Sequence, residues 1–495
     1  MLGLAGVYAC GSPDGMRQRL EQMSEVLQHR GMRRTHEFSF TDGYRTLVAC
    51  HVMHGEGFII SSRTDGVLVV DGVQRHDEGA EELIEALHPG AVFVPDLVGE
   101  ISRIGAVSES LVLSLGEAGL CATRFPFSMR PLYLHLDDES LLFASERKCL
   151  WTIGIDEISA LQPGEVCKVH PKRGFQLNSL GERLPPQLDR RASRELVIDS
   201  LGQRLRASLE RIRGRDAAVL FSGGVDSSLA AKLAQEVCGN VVLYTTRTED
   251  SHDKRVAEMS AESLGIKLVQ VDMPPDTVWE AVPSVIWAIE SSSVMDIEIA
   301  LPFFLAARQA AYDGLELIVS GQGPDELFAG YARHLRVFEE KGAMALNEQL
   351  WKEVSVTHEV NIERDERAIA FHELEAFFPY LNPGFMELAL AAPGEWKIKP
   401  ESNPSRKILF RELAQVLGLP REIALLPKRA TQYSSGSSKV LQDAISRNVK
   451  GASDLGRKGI RALAQTVLDR FAHEMGMPVE TQTTEIEFKT EPTWP

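Results

Sequence analysis

Asp216-Ala-Ala-Val-Leu-Phe-Ser222-Gly223-Gly224-Val225-Asp226-Ser227-Ser228-Leu-Ala-Ala-Lys-Leu-Ala234 decides how the carboxy-terminal part of this chain folds. Residues 217–221 form a short, continuous apolar run, the pattern of a buried strand. The two glycines turn the chain, and residues 229–234 open a helix. A strand that turns directly into a helix N-terminus leaves backbone N–H groups pointing outward, where the helix dipole favours an anion. Gly223 and Gly224 let the backbone approach a phosphate closely, and Ser222, Ser227 and Ser228 add hydroxyl donors. Asp226 has the wrong sign for phosphate unless a divalent cation lies between them, so the loop implies Mg²⁺. The string matches neither the G-x-x-x-x-G-K-[ST] phosphate loop nor the G-x-G-x-x-G dinucleotide turn.

The pattern continues outward from this loop. Apolar runs at 241–245, 267–271 and 315–320 alternate with longer helical periods, which predicts an α/β domain with a parallel sheet. Beyond residue 335 the pattern is mostly helical. Residues 1–170 differ. Short apolar runs at 4–8, 67–70, 111–115 and 141–144 are separated by Gly and Asp, and helical patterns fall at 16–27 and 80–87. This predicts an α+β domain built on antiparallel sheet. Residues 171–191 are rich in Pro, Gly and charge and read as a linker. Residues from about 478 onward lack periodicity and read as a mobile tail. The expected division is 1–180, 192–476 and a flexible 477–495.

A net charge of −17 argues against a nucleic-acid enzyme, whose affinity comes from Lys and Arg neutralising phosphates. The six cysteines include no C-x-x-C pair and read as small buried residues of a reducing, cytoplasmic compartment. No stretch approaches the roughly 20 apolar residues that span a bilayer. The amino terminus has no basic segment and reads as a first strand rather than a signal peptide.

The strand–SGGxDSS–helix string resembles the signature of the PP-loop ATP pyrophosphatases, which leave an adenylate on their substrate and release pyrophosphate. A second strand runs into Ser320-Gly321-Gln322-Gly323-Pro324-Asp325-Glu326-Leu327-Phe328-Ala329-Gly330-Tyr331. Strand ends of one parallel sheet share a crevice, so Asp325 could face Asp226 across a bound Mg–pyrophosphate. Together the two loops resemble the synthetase domain of the asparagine synthetases, whose second loop reads G-E-G-x-D-E-L-F-x-G-Y. Ser251 and Asp253 are similar to the segment after that family's second strand. Glu375-Ala-Phe-Phe-Pro-Tyr-Leu-Asn382 is similar to its E-x-R-x-P-F-L-D, Ser405-Arg-Lys407-Ile-Leu-Phe-Arg411 to its K-x-x-L-R helix, and residues 427–436 to its late R-x-K…G loop.

The resemblance implies an adenine-nucleotide-hydrolase-like domain binding ATP and Mg²⁺. Asp226 and Asp325 would hold the metal. Ser222, Gly223, Gly224, Asp226, Ser227, Ser228, Ser320, Gly321, Gly323 and Lys407 would bind the nucleotide. Lys428 would stabilise the developing charge, with Arg429 also eligible, and Glu375 would act as an acid/base or orienting group. Gln322 stands where the family usually carries Glu, and Phe377 where it carries Arg. Gln cannot act as a base, which leaves the acceptor open.

The amino-terminal part resembles the family's class II glutaminase, an Ntn-type αββα sandwich, at Gly3-Leu-Ala-Gly-Val7, His29-Arg30-Gly31, 124–133 and Phe143-Ala-Ser-Glu-Arg-Lys148. Leu2 replaces the nucleophilic Cys, and Asp71-Gly72-Val73 replaces the N-G-E oxyanion segment. No glutamine hydrolysis is expected. The implied reaction joins ammonia or an amine to a carboxylate, aspartate by default. A ring-closing relative of the β-lactam and carbapenam synthetases and a non-catalytic scaffold are the alternatives. No nucleic acid or membrane partner is implied, and a homodimer is left open.

Overall fold

The computed structural model describes residues 2–10, 12–40, 43–53, 58–63, 66–72, 110–180, 185–188, 192–248, 253–427, 436–479, 486–490, 492, 494 and 495. The chain divides into two compact units, Met1–Leu184 with Gly476–Pro478, and Pro185–Met475 with Val479–Pro495.

The first unit is built on two six-stranded antiparallel sheets. Gly3–Ala9 lies inside one sheet, between Arg45–Val52 and Ser140–Ala144. Alternation along that strand sends Leu4 and Tyr8 into a core shared with Val67, Val69, Leu113 and Cys167 of the other sheet. Ala5 and Val7 face the opposite way, onto Met16, Leu20 and Met23 of the helix Pro13–Glu25. The expected α+β sandwich is therefore present through a helix layer and two sheets. The helical pattern at 80–87 lies outside the described residues. Two expectations need correction. Residues 174–179 are not linker but a strand, Gly174–Ser179, that closes a hairpin on Glu165–His170. It is an edge strand whose Phe175 and Leu177 stay exposed, so its apolar residues give no buried signature. The cysteines are free but not uniformly buried, since Cys10 is exposed.

The second unit is α/β. Its five parallel strands run in the spatial order Leu268–Asp272, Val241–Arg247, Ala217–Leu220, Leu317–Val319, Glu375–Phe377. Ala218 and Ile318 bury one face against Ala306, Ala307 and Ala310 of the helix Val294–Tyr312. Ala217 and Val219, also fully buried, point to the other face, as a parallel sheet covered on both sides requires. The fifth strand was not legible, because three residues are too few to set a period. The order reverses at Ala217–Leu220. Connections leave in opposite directions from this strand and its neighbour Leu317–Val319, and their carboxyl ends open a crevice at that switch point.

The helical remainder includes Ile408–Val416, Ser437–Asn448 and Arg457–Glu474. The expectation of a mobile tail is corrected for its described part. Val449 bridges Phe488. The Phe488 ring sits 5.7 Å from Trp279 and 5.5 Å from Phe471, and Trp494 lies 5.6 Å from Phe471. Aromatic anchors without periodicity hold this segment, and a period search does not see them. Among the described residues no helix is long and apolar enough to cross a membrane.

Candidate active site

The first loop leaves the strand Ala217–Leu220 and enters the helix Val225–Val237 at Gly224, in an Ala- and Leu-rich segment with high helix propensity. Ser222 and Ser227 close the loop on itself, with their hydroxyls 3.2 Å apart and the Ser222 amide donating to Ser227 Oγ at 3.3 Å. The second loop leaves Leu317–Val319 and starts the short helix Pro324–Leu327. The loops touch. A Cβ on Gly321 would fall 2.9 Å from the backbone nitrogen of Ser227, so only glycine allows this approach.

Asp226 and Asp325 converge on one cation, which is a lysine. Lys407 Nζ lies 2.8 and 2.7 Å from the two carboxylate oxygens of Asp226 and 2.7 Å from Asp325 Oδ1. The lysine is fully buried and sits in the left-handed region at φ 59°, at the start of the helix Ile408–Val416. A Cβ on Gly330 would collide with Asp325 Oδ1 and Lys407 Cε, so the meeting of the two side chains depends on that glycine. Tyr380 donates its hydroxyl to the Asp226 carbonyl at 2.8 Å and fixes the loop from below. Behind Asp325, Tyr331 donates to Glu326 Oε1 at 2.6 Å and Asn361 donates to the same atom at 3.2 Å. Burial, reinforced by Asp325, raises the Glu326 carboxyl to about 7.

The loops wall a cleft that is open to solvent. Ser222, Asp226, Ser227, Ser320, Gly321, Gln322 and Asp325 line its polar side. Phe221, Tyr244, Pro302, Phe303 and Ala306 give the lining an apolar part that could take a planar base. Sequence reasoning missed this wall. The end of Val241–Arg247 was the available signal, since a neighbouring strand of the same sheet opens on the same crevice.

Not every expected site residue lines the cleft. Ser228 is fully buried, and neither it, Gly223, Gly224 nor Gly323 lines the cleft. Lys407 is correctly at the site, but it contacts the acidic pair rather than open cleft. The Glu375 role is corrected. Glu375 opens its strand and pairs in register with Leu317, at the amino end of the sheet away from both loops. Its carboxylate is held by Arg215 at 2.7 Å. Lys428, Arg429 and Ser251 lie outside the described residues, as does the side chain of Asp253. Arg411 does pin the approach to that late loop, donating to the carbonyls of Ala424 and Leu426.

Gln322 has a specific partner. Its Nε2 donates to Asp365 Oδ2 at 2.6 Å, and Arg364 Nε donates to Asp365 Oδ1 at 2.8 Å. Asp365 lies on the helix Glu363–Ala370, where five consecutive charged residues are buried. A π-helical turn, His358–Ile362, precedes them. Burial raises the Asp365 carboxyl and Arg364 acts against that.

Two carboxylates that already hold a cation fit a hard divalent ion with oxygen ligands. Among the described residues no group of three or more His, Cys, Asp or Glu could hold a metal by itself. A Mg²⁺ here would therefore complete its shell with phosphate oxygens and water.

In the first unit, Leu2 is buried in the core, and its backbone N–H donates to Asp71 Oδ2 at 3.0 Å. Arg130 Nε donates to the other Asp71 oxygen at 2.8 Å. His29, Arg30 and Lys148 all converge on the buried Glu146, at 3.1, 2.6 and 2.6 Å. Burial would raise the Glu146 carboxyl, but the three neighbours outweigh it and hold it well below its ordinary value.

A family model described as asparagine synthase matches residues 193–345 and 338–475. A candidate glutamine-hydrolysing asparagine synthetase of Methanocaldococcus jannaschii is 34% identical over 368 residues, covering 64% of this chain and 66% of the relative. An asparagine synthetase domain-containing protein of Saccharomyces cerevisiae is 30% identical over 272 residues, 47% of this chain and 50% of that one. Asparagine synthetase B of Escherichia coli K12, named as glutamine-hydrolysing, is 25% identical over 379 residues, covering 72% and 64%. The chain thus spans between half and two thirds of the length of these relatives. With the two acidic loops at the switch point and the family match over residues 193–475, this chain belongs to the asparagine synthase family.

Proposed function

We propose that this chain activates a carboxylate with ATP, forming an acyl-adenylate and pyrophosphate, and joins ammonia or an amine to it without hydrolysing glutamine. Aspartate, giving asparagine, is the default acceptor. The observation that carries the reading is the convergence of Asp226 and Asp325 on a single cation at the sheet's switch point. Nucleotidyl transfer gains mainly from positioning and from stabilising charge, and the chain's own groups are arranged for both. The Ser222–Ser227 loop and the start of its helix would bind phosphate oxygens, and the apolar wall would hold the base. Asp226 and Asp325 would hold Mg²⁺, which when bound supplies charge neutralisation on the leaving pyrophosphate. Lys407 would then keep the two carboxylates together from the buried side. Lys428 or Arg429 is the proposed second source of positive charge.

Independence from glutamine rests on the first unit. Leu2 offers no nucleophile, and the Asp71–Arg130 pair occupies the neighbourhood of its amide.

The test is carboxylate-dependent ATP–pyrophosphate exchange over a panel that includes aspartate and β-amino acids, with Asp226→Ala as the control. Exchange with aspartate that the variant loses is expected. Exchange with a β-amino acid alone would favour ring closure, and no exchange with any acid would refute the ligase reading. Glutamate release from glutamine would refute the second half of the proposal.

A further inference from the structure

Gln322 lines the cleft one loop-turn away from Asp325, and its amide can be oriented by chemistry. Arg364 donates to one oxygen of Asp365, and the Gln322 amide nitrogen donates to the other. The carbonyl Oε1 is then the atom left for the cleft, and among the described residues it has no protein partner. The substitution of Gln for the family's usual Glu is matched by this arrangement. A Glu at 322 would bring two carboxylates to hydrogen-bond distance, where both cannot remain ionised. Amide and acid therefore belong together, and the cleft wall at 322 offers an acceptor but no base.

We infer that Gln322 and Asp365 form a positioning pair that holds the incoming amine by an N–H donated to Gln322 Oε1. The inference rests on the ligase reading above. The amine arrives as its free base. Its lone pair forms the C–N bond at the acyl carbon, the bond from that carbon to the AMP oxygen breaks, and AMP leaves with the electron pair. The surplus proton on nitrogen passes to water, not to residue 322. Gln322 touches the substrate, whereas Asp365 acts through it. The ionisable groups facing the pair are Arg364 on the same helix, 2.8 Å from Asp365, and Asp296 on the helix Val294–Tyr312, 3.5 Å from Arg364. Asp325 and Glu326 follow Gln322 in its own loop.

The experiment measures exchange and amide formation separately, using the panel acid that supports exchange, aspartate first, with ammonium and hydroxylamine as nucleophiles. In the wild type, amide formation should follow the free-base fraction of each nucleophile, so hydroxylamine should exceed ammonium near neutrality. Gln322→Glu should lower the ratio of amide formation to exchange by about 100-fold, the scale of one positioned group. Asp365→Asn leaves one side-chain acceptor for two donors, Gln322 Nε2 and Arg364 Nε, so it should itself lower the ratio of amide formation to exchange, and the thermal midpoint of each variant is the folding control. The double variant Gln322→Glu/Asp365→Asn restores the hydrogen bond with its polarity reversed. It should regain about 10-fold and move the pH profile of amide formation to lower pH, because the wall now carries a base.

Wild-type amide formation by Gln322→Glu, or a double variant no better than the single, overturns the pairing. Exchange without amide from either external amine overturns this inference and leaves adenylation standing. No exchange with any acid removes the ligase reading and this inference with it.

Discussion

Lys407 Nζ sits 2.7 Å from Asp226 Oδ2, in full burial, at the place where a carboxylate of the first loop meets one of the second. The ammonium is the shared countercharge of two side chains that would otherwise repel each other.

Lys407→Met should therefore destabilise the ligand-free protein. Removing one partner of a buried ion pair leaves uncompensated charge and costs about 3–5 kcal/mol. The thermal midpoint should fall without Mg²⁺ and recover in part when Mg²⁺ is added, because the ion binds the folded state alone. An unchanged midpoint in the metal-free variant would mean that the three groups are not energetically joined.

Gly321→Ala tests the contact between the loops. The new Cβ would meet the Ser227 backbone nitrogen at 2.9 Å and its Cα at 3.0 Å, and neither atom can move without shifting the helix start. Overpacking of this kind costs about 1–3 kcal/mol, and the distortion falls on the phosphate loop. Exchange should drop by about 10-fold or more, with a raised KM for ATP. Wild-type kinetics would show that the loops have room to separate.

Glu375→Gln should be nearly silent. Its partner Arg215 is about as exposed as it is, with side chains 29% and 30% accessible, and such pairs contribute about 1 kcal/mol or less. Exchange within about 2-fold of wild type is expected, since the side chain stands at the far end of the sheet. A large loss in kcat with an intact thermal midpoint would return Glu375 to the reaction.

Lys397 carries a pH signature. Its ammonium is fully buried, its Nζ reaches only the Leu390 carbonyl, at 3.4 Å, among the described residues, and burial pushes it down to about 7. In the unfolded chain a lysine titrates at about 10.4. Between these values the unfolded state binds a proton that the folded state does not, so stability rises with pH through the window. Below about 7 both states are charged and the burial penalty is complete, of the order of a few kcal/mol. Lys397→Met should raise the thermal midpoint at pH 7 and flatten its rise toward pH 9.5. A wild-type midpoint that does not rise over that interval would contradict the shift.

The chain's local chemistry announced the α/β unit, the two loops and Asp226 with Asp325. Residues 217–234 and 315–331 each pack strand, turn and helix start into one contiguous segment, so sequence order alone displays the two loops. Four of the first unit's strands were legible for the same reason, through short apolar runs broken by turns. Glu375 misled because motif similarity gives residue identity but not strand register, and its register with Leu317 places it at the wrong end of the sheet. The hairpin strand Gly174–Ser179 and the anchored residues 486–490 escaped because an exposed edge and scattered aromatics have no period.

The sequence by itself displayed the Ser222–Ser228 loop, the second acidic loop and the Leu at position 2, since each is a matter of which residue types stand in one short segment. Only the tertiary structure decided that Lys407 joins Asp226 to Asp325, and that Gln322 answers to Asp365. These partners lie 181 and 43 residues apart in the chain. Their meeting is set by the order of strands in the sheet and by which helix is buried against it, and no local pattern encodes that.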